Sequence, residues 1–532
     1  TLRWRLGRFI IWLAYYANGL HRKDVPMAEP VYSLRYVARC SVELETALHI
    51  GCGAGGGETD APVVRDAHSY PAIPGSTLAG ILRDLLLTRL KAGPGTDATL
   101  MVDELFGFQR TRKQSGGGSA PDGRGSRLSI SWAVIHDAKN GPVDGPVEDR
   151  QGKPASDPVL QSAASLPIRD HVRMNHRRTA DREGNGKFDE EVVQAGHRFT
   201  FEIELISAGS TSDAESWTLL LDAIKGGGFR LGGRTFRGIG RFKCCGLIQR
   251  RFDLTRAKDG KASADWKDYL ELPVSLAVTP KGFAEHKTET PAEDLVIELG
   301  PDGPWMIGGG DDSGGADQAP LTEERIVWDA KDQVQTCWLV PGSAIKGPLA
   351  HRTAFHYNRL CRGFADKTES SDTEFDELAN KNRAVRELFG FADPTEPGAA
   401  KKDPADRQQR GKIAIDDYLV RLAKGDQQVL FNHVTIDRFT NATFGAALFN
   451  ERPRWRGPKL VLRLNLPPAD DLDATMRRAF GWAMRDLLEG RLALGAASSR
   501  GLGFFTGEEP AALREWSGLP QSTTRPIVEA SP

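Results

Sequence analysis

The sequence predicts an α+β chain of two tandem ferredoxin-like modules, each with the element order β-α-β-β-α-β shared by RNA-recognition modules. Rare motifs recur in one order. Tyr70-Pro-Ala-Ile-Pro-Gly-Ser-Thr-Leu-Ala-Gly80 returns as Trp338-Leu-Val-Pro-Gly-Ser-Ala-Ile-Lys-Gly347, and Asp103-Glu-Leu-Phe-Gly-Phe108 as Ala384-Val-Arg-Glu-Leu-Phe-Gly-Phe391. Leu231-Gly-Gly-Arg-Thr-Phe-Arg-Gly-Ile-Gly240 returns, without a gap, as Leu494-Gly-Ala-Ala-Ser-Ser-Arg-Gly-Leu-Gly503. Such ordered recurrence marks tandem duplication. The hydrophobic period also switches between 2 and 3.6 at the same places in both copies.

In the first copy, Val37, Val42 and Leu44 alternate into Leu48-His-Ile50, a strand. A glycine loop leads to Thr59-Asp-Ala-Pro-Val-Val-Arg-Asp66, and Ser76 suits the N-cap of a helix whose Leu78, Leu82 and Leu85 share a face. A Gly/Ser-rich loop spans 115–125, followed by a strand at Arg127–Val134 and an arginine-rich segment. Phe199–Leu205 alternates strictly, Trp217, Leu220, Leu221 and Ile224 line a second helix, and Gly240–Ile248 closes the module as a strand. The second copy opens at Asp294–Leu299, and Ser343 suits its helix N-cap. Lys412–Ile415 and Lys459–Leu466 are its middle strands, while Met476, Phe480, Ala483 and Leu487 line its second helix. Pro348 after the first turn is expected to kink or shorten the first helix of this copy.

These boundaries give an extension outside the fold (1–26), a first module (27–254), a polar linker (255–281), a second module (282–515) and a tail (516–532). Residues 9–16 follow three arginines and superficially resemble a signal peptide, but the apolar run is shorter than the ~20 residues that span a bilayer, and no cleavage site follows cleanly. An amphipathic arm is the other reading of this extension.

The chain has 532 residues, 39% hydrophobic and 27% charged, so it can bury sizeable cores. Its net charge of -1 argues neither for nor against nucleic acid. Local clusters say more: Arg169, Arg173, Arg177, Arg178 and Arg182 crowd one segment, and Arg230, Arg234, Arg237 and Arg241 another. Basic stripes of this kind track phosphate backbones, although most charge runs are solvated surface. Six cysteines without a C-x-x-C pair disfavour a zinc site or disulfide framework and suit reduced thiols in a cytoplasm. The glycine loops lack a G-K-[ST] ending and follow a helix instead of opening one, so neither is a P-loop.

The ordered set of helix start, glycine loop and element order resembles the RAMP (repeat-associated mysterious protein) superfamily. More narrowly, it resembles the backbone subunits of type III CRISPR effector complexes. Ile73–Gly80 is similar to that family's I-P-G-S-S-L-K-G string, with Ala79 in place of lysine, and Val340–Gly347 keeps the lysine as Lys346. Phe188-Asp-Glu-Glu resembles the family's F-x-E-E segment, which ends an inserted thumb hairpin. Its echo is Leu448-Phe-Asn-Glu451, preceded by Ile436-Asp-Arg438.

The resemblance implies that the glycine loops and helix starts hold guide RNA, through Ser76, Arg83, Arg234, Arg237, Gly238, Ser343, Lys346, Arg500 and Gly501. It places Arg173, Arg178 and Arg438 in thumb regions that intrude between guide and target RNA, and Arg452, Arg454 and Arg456 fit there too. One loop aspartate per copy would cleave target RNA. Asp60 lies in a string like the family's x-D-x-P-V-x-R-D, and Asp317 occupies the same place in the second copy, with Asp311 and Asp312 as alternatives. Asp66 serves structure on this reading, and His171, His176 and His433 are general acids or, more in keeping with their place, hydrogen-bonding or RNA-contacting groups.

A carboxylate there acts as base or helps hold a divalent ion, Mg²⁺ being expected, with no dedicated protein metal centre. Guide RNA, complementary target RNA and other CRISPR effector subunits are the implied partners, with no membrane. A non-catalytic RNA-binding scaffold and a guide-processing endoribonuclease are the competing readings. The latter usually works through a histidine near the first helix, and neither His68 nor His351 is equivalently placed.

Overall fold

The computed structural model describes residues 32–521 except 54–56, 58, 92–96, 114–118, 145–155, 173, 175–185, 228, 255–260, 273–275, 277, 287–294, 311–314, 365–374, 376, 380, 393–407, 423–427, 456 and 458. The expected extension 1–26, Arg173, Arg177, Arg178, Arg182, His176, Asp311, Asp312 and Arg456 lie outside the described residues. Among the described residues no helix is long and apolar enough to cross a membrane.

The first module is built around one antiparallel sheet, whose outer edge is extended by Ala284–Glu285. Strand β1 (Leu34–Leu44) leads to helix α1 (Gly75–Lys91), then to the short strand β2 (Leu128–Ile130), whose line resumes at Val134–Ile135. A hairpin of β3 (Ile168–Val172) and β4 (Lys187–Glu191) precedes β5 (Arg198–Ser207), helix α2 (Thr211–Gly226) and β6 (Phe242–Asp253). The sheet runs β6-β1-β5-β2. Register places Glu43 opposite Arg198, and the two form an ion pair of 2.7 Å.

The second module repeats this plan. Its elements are β7 (Leu295–Pro301), helix α3 (Gly342–Leu360), β8 (Ala414–Ile415), the hairpin β9 (Phe431–Ile436) and β10 (Thr443–Glu451), β11 (Leu460–Asn465), helix α4 (Ala474–Leu488) and β12 (Phe505–Thr506). Its sheet runs β12-β7-β11-β8, the same order as in the first module. A further sheet of Thr322–Ile326, Val334–Val340 and Tyr418–Arg421 leads into α3.

The helices bury the stripes that their spacing predicts. Trp217, Leu220, Leu221 and Ile224 of α2 and Met476, Phe480, Ala483 and Leu487 of α4 are all buried. In α1 the fully buried row is Leu78, Leu82, Leu86, at i, i+4, i+8, with Leu85 at its edge instead of on it. Helix α3 runs unshortened through Pro348, because the turns beyond it bury Leu349, Thr353, Ala354 and His356.

The alternation of β5 does not leave its polar face wet. Thr200 and Glu202 are buried, satisfied by Ser41 Oγ at 2.6 Å and Arg39 Nε at 2.9 Å. The segment expected to be a linker supplies part of the cover: Arg39 also donates to Leu276 O. That segment contains the helix Lys261–Glu271, whose Trp266 and Tyr269 pack around Phe252 of β6. The described start of the expected tail also docks, with Trp516 Nε1 donating to Pro467 O at 2.7 Å and Leu519 buried.

Neither Ser76 nor Ser343 is an N-cap. The helices begin at Gly75 and Gly342, so each serine lies within the first turn, and Pro341 caps α3 with no side-chain bond. Glycine is what the site requires, because each helix start is pressed against the neighbouring strand. A Cβ on Gly75 would collide with Ile130 O, and one on Gly342 with Ile415 O. Gly75→Ala and Gly342→Ala should each cost roughly 1–3 kcal/mol of stability through overpacking, read as a lowered midpoint in thermal or denaturant unfolding. Ser76→Ala should leave the midpoint nearly unchanged.

Candidate RNA interface and hairpin sites

The first module's glycine loop meets the second module's helix start. Residues Thr235–Arg237 form a 3-10 turn bounded by Arg234 and Gly238, both with positive φ (53° and 112°). A Cβ at Gly238 would strike the Asp417 side chain, and Gly238 O accepts from Asp417 N–H at 3.0 Å. Asp417 Oδ1 accepts the Gly342 N–H at 2.8 Å, thereby capping α3 from outside the helix, and its Oδ2 accepts from Arg169 at 2.6 Å. Arg169 also makes paired bonds of 2.8 Å to both oxygens of Glu323. Asp416 binds Arg230 at 2.5 Å and Arg241 at 3.1 Å.

Much of the basic stripe read from the sequence is therefore seam. Arg169, Arg230 and Arg241 answer carboxylates of the second module. Arg454 is likewise no thumb contact: it is fully buried, its guanidinium lying over the rings of Trp305 and Trp338.

Two cations of the seam have a different environment. Lys346 Nζ donates to Phe236 O at 3.2 Å, and burial together with the Arg237 charge pushes its pKa down to about 8. Burial and then Arg234 also lower Arg237, against an opposing pull from Glu190. Burial and, after it, repulsion from a neighbouring cation disfavour both charges, and an anion at the seam would offset these costs.

Each hairpin return strand organises a loop aspartate. In the first module, Asp60 N–H donates to Asp189 Oδ1 at 2.8 Å, and Asp189 N–H donates back to Asp60 Oδ2 at 3.2 Å. Thr59 Oγ1 donates to Asp189 Oδ1 at 2.7 Å. These bonds hold the Asp189 carboxyl below its usual range, that from Thr59 first and that from Asp60 N–H second. In the second module, Asp317 N–H donates to Asn450 Oδ1 and Asn450 N–H to Asp317 Oδ2, both at 2.8 Å. Asp60 and Asp317 are both exposed.

The neighbouring residue repeats as well. Glu190 is buried and accepts from His171 Nε2 at 2.7 Å and from Arg234. Burial would raise its carboxyl, but His171 and Arg234 hold it low. Glu451, fully buried, accepts from His433 Nε2 at 3.0 Å and Arg500 Nη2 at 2.5 Å. Phe188 stacks on His171 at 5.0 Å and Phe449 on His433 at 4.8 Å.

The loop alignment pairs Arg500 with Arg237, yet toward the hairpin Arg500 does what Arg234 does. Glu191 completes the first string by accepting from Val63 N–H at 2.8 Å and Arg65 at 2.5 Å. Asp66 Oδ1 accepts from His68 and Tyr70 N–H, closing a local turn.

The remaining residues are dispersed. Ser76 is exposed at the start of α1, and Arg83 is bound to Asp103 at 2.5 Å and to Gly107 O. Arg438 is exposed at the tip of the β9–β10 hairpin beside Phe439, which is 97% exposed. Gly501 has positive φ (88°) with open space where a Cβ would lie. Sequence reading missed Asp189, Asn450 and the Asp416-Asp417 pair. The recurrence of Phe-Asp-Glu as Phe-Asn-Glu was the available signal for the first two.

Among the described residues no group of three or more His, Cys, Asp or Glu side chains is placed to hold a metal ion. Mg²⁺ commonly needs only one or two carboxylates with water and substrate phosphate. Asp60 with Asp189 offers two, and Asp317 with Asn450 one.

A family model described as RAMPs, the RAMP superfamily, matches residues 41–243 and 302–506, one match per module. No curated protein matches the chain.

Asp417→Ala would leave the buried Arg169 without one of its carboxylates and strip the cap from α3. It should cost about 3–5 kcal/mol, seen as a large fall in unfolding midpoint. An exposed control, Asp470→Ala, should leave the midpoint nearly unchanged.

Proposed function

The chain belongs to the RAMP superfamily of CRISPR-associated RNA-binding proteins, and from that premise we propose that it is a fused double backbone subunit of a type III effector complex. It holds guide RNA along the seam and cleaves complementary target RNA once per module. The observation that carries this reading is the twofold recurrence of an exposed aspartate bracketed by a hairpin strand, beside a buried glutamate bound by a histidine and an arginine. Strand orders β6-β1-β5-β2 and β12-β7-β11-β8 support ferredoxin-like topology in each module. The β3–β4 and β9–β10 hairpins support the thumb assignment.

RNA carries its own nucleophile. The 2′-oxygen loses its proton to a base and attacks the adjacent phosphorus, a 2′,3′-cyclic phosphate forms, and the bond to the 5′-oxygen breaks, that oxygen taking a proton from solvent. The bracket fixes the backbone around Asp60 and Asp317, leaving one oxygen of each carboxylate free of the bracket to take that proton or to hold a cation near the phosphate. Mg²⁺, when bound, neutralises phosphate charge. Arg237 and Lys346 supply the positive seam for the guide backbone, and the exposed Phe439 and Arg438 project from the second thumb.

Two measurements test this. In the complex assembled with guide RNA, Asp60→Asn and Asp317→Asn keep the bracket and remove the charge. Each should abolish one of two cuts in end-labelled target RNA, by roughly 100-fold or more, with target binding unchanged. Uncut target despite tight binding by the wild type, or both cuts surviving in the double variant, would overturn the cleavage reading.

Guide binding should also be linked to Lys346. Its ammonium is lost above about pH 8 in the free protein, and bound phosphate favours the charged form. Affinity should therefore fall as pH rises from about 8 toward 10, and Lys346→Met should flatten that slope.

A further inference from the structure

We propose that the two cleavage sites are electrostatically unequal, the first depending on a divalent cation more strongly than the second, because Asp189 stands where the second module has Asn450. This inference rests on the cleavage reading and concerns what distinguishes the two sites.

The brackets correspond bond for bond. Asp189 Oδ1 and Asn450 Oδ1 both accept the N–H of the loop aspartate, and the N–H groups of Asp189 and Asn450 both donate to that aspartate's Oδ2. The buried glutamate, its histidine, its arginine and the stacked phenylalanine then repeat around each bracket. Within that repeated frame one atom changes character. The second branch of residue 189 is a carboxylate oxygen, Oδ2, and that of residue 450 is an amide nitrogen, Nδ2.

The consequence follows from charge. Asp60 and Asp189 put two negative side chains at the first site, which repel a phosphodiester unless a cation stands between them. Asp317 and Asn450 put one negative charge and an N–H donor at the second, and the amide can bind a phosphate oxygen directly. Thr59 Oγ1, which donates to Asp189 Oδ1, steadies the ionised form at the first site.

Single substitutions interchange the two arrangements with little risk to the fold, because Asn and Asp offer the same Oδ1 acceptor and the same backbone N–H. The test uses the full complex with guide RNA and a target carrying 2′-deoxy nucleotides at both cut positions. Mn²⁺ binding is followed by electron paramagnetic resonance, and the Mg²⁺ midpoint of each cut is measured in parallel on cleavable target.

Asp189→Asn should weaken Mn²⁺ binding roughly tenfold and raise the first cut's Mg²⁺ midpoint by a similar factor. Asn450→Asp should add a tighter Mn²⁺ site and lower the second cut's Mg²⁺ midpoint. Equal Mg²⁺ midpoints for the two wild-type cuts, with Mn²⁺ binding unmoved by either substitution, would overturn the inference while leaving the cleavage reading intact. Failure of that reading would appear separately, as cuts that persist in the Asp60→Asn, Asp317→Asn double variant.

Discussion

Asp416 and Asp417 at the end of β8 hold the molecule together as a functional unit. Two adjacent carboxylates bind Arg169, Arg230 and Arg241 of the first module, and Asp417 also caps helix α3. Buried charge on this scale is tolerable only when every partner is present. The seam therefore fixes the distance between the first module's glycine loop and the second module's helix start. Two motifs that recur along the chain meet across modules: the loop of one copy presses on the helix start of the other. The equivalent strand of the first module carries Ser131 and Trp132 in place of the aspartates, and Trp132 is 47% exposed. The two modules therefore present unlike outer faces.

A second constraint runs through the hairpins. Each return strand uses consecutive side chains for separate tasks. Phe188 or Phe449 stacks on the histidine, Asp189 or Asn450 brackets the loop aspartate, and Glu190 or Glu451 binds histidine and arginine. Arg234 and Arg500 reach the glutamates from the glycine loops, so loop, hairpin and aspartate are tied together in each module. Catalytic geometry needs placement of that kind, since a misplaced carboxylate loses most of its effect.

The main elements were legible in the sequence because periodicity and recurrence report local structure directly. Trp217, Leu220, Leu221 and Ile224 face inward for the reason their spacing states. Partners were not legible. Nothing in Arg169 or Arg454 as letters distinguishes an RNA contact from a cation buried against Glu323 or between two tryptophans. The serines of Pro-Gly-Ser looked like caps because short-range rules see only neighbours in sequence. The cap of α3 comes from Asp417, 75 residues away in sequence. The residues flanking Asp317 depart from the first copy's string, and its bracket to Asn450 matches that of Asp60 to Asp189.

The most direct measurement of the central claim is a structure of the complex with guide RNA and a target made uncleavable by 2′-deoxy substitution at both cut positions. One target phosphate should lie beside each hairpin within reach of the Asp60 or Asp317 carboxylate, with the guide backbone along Arg237 and Lys346. Target RNA that passes both brackets without approaching either carboxylate would contradict it.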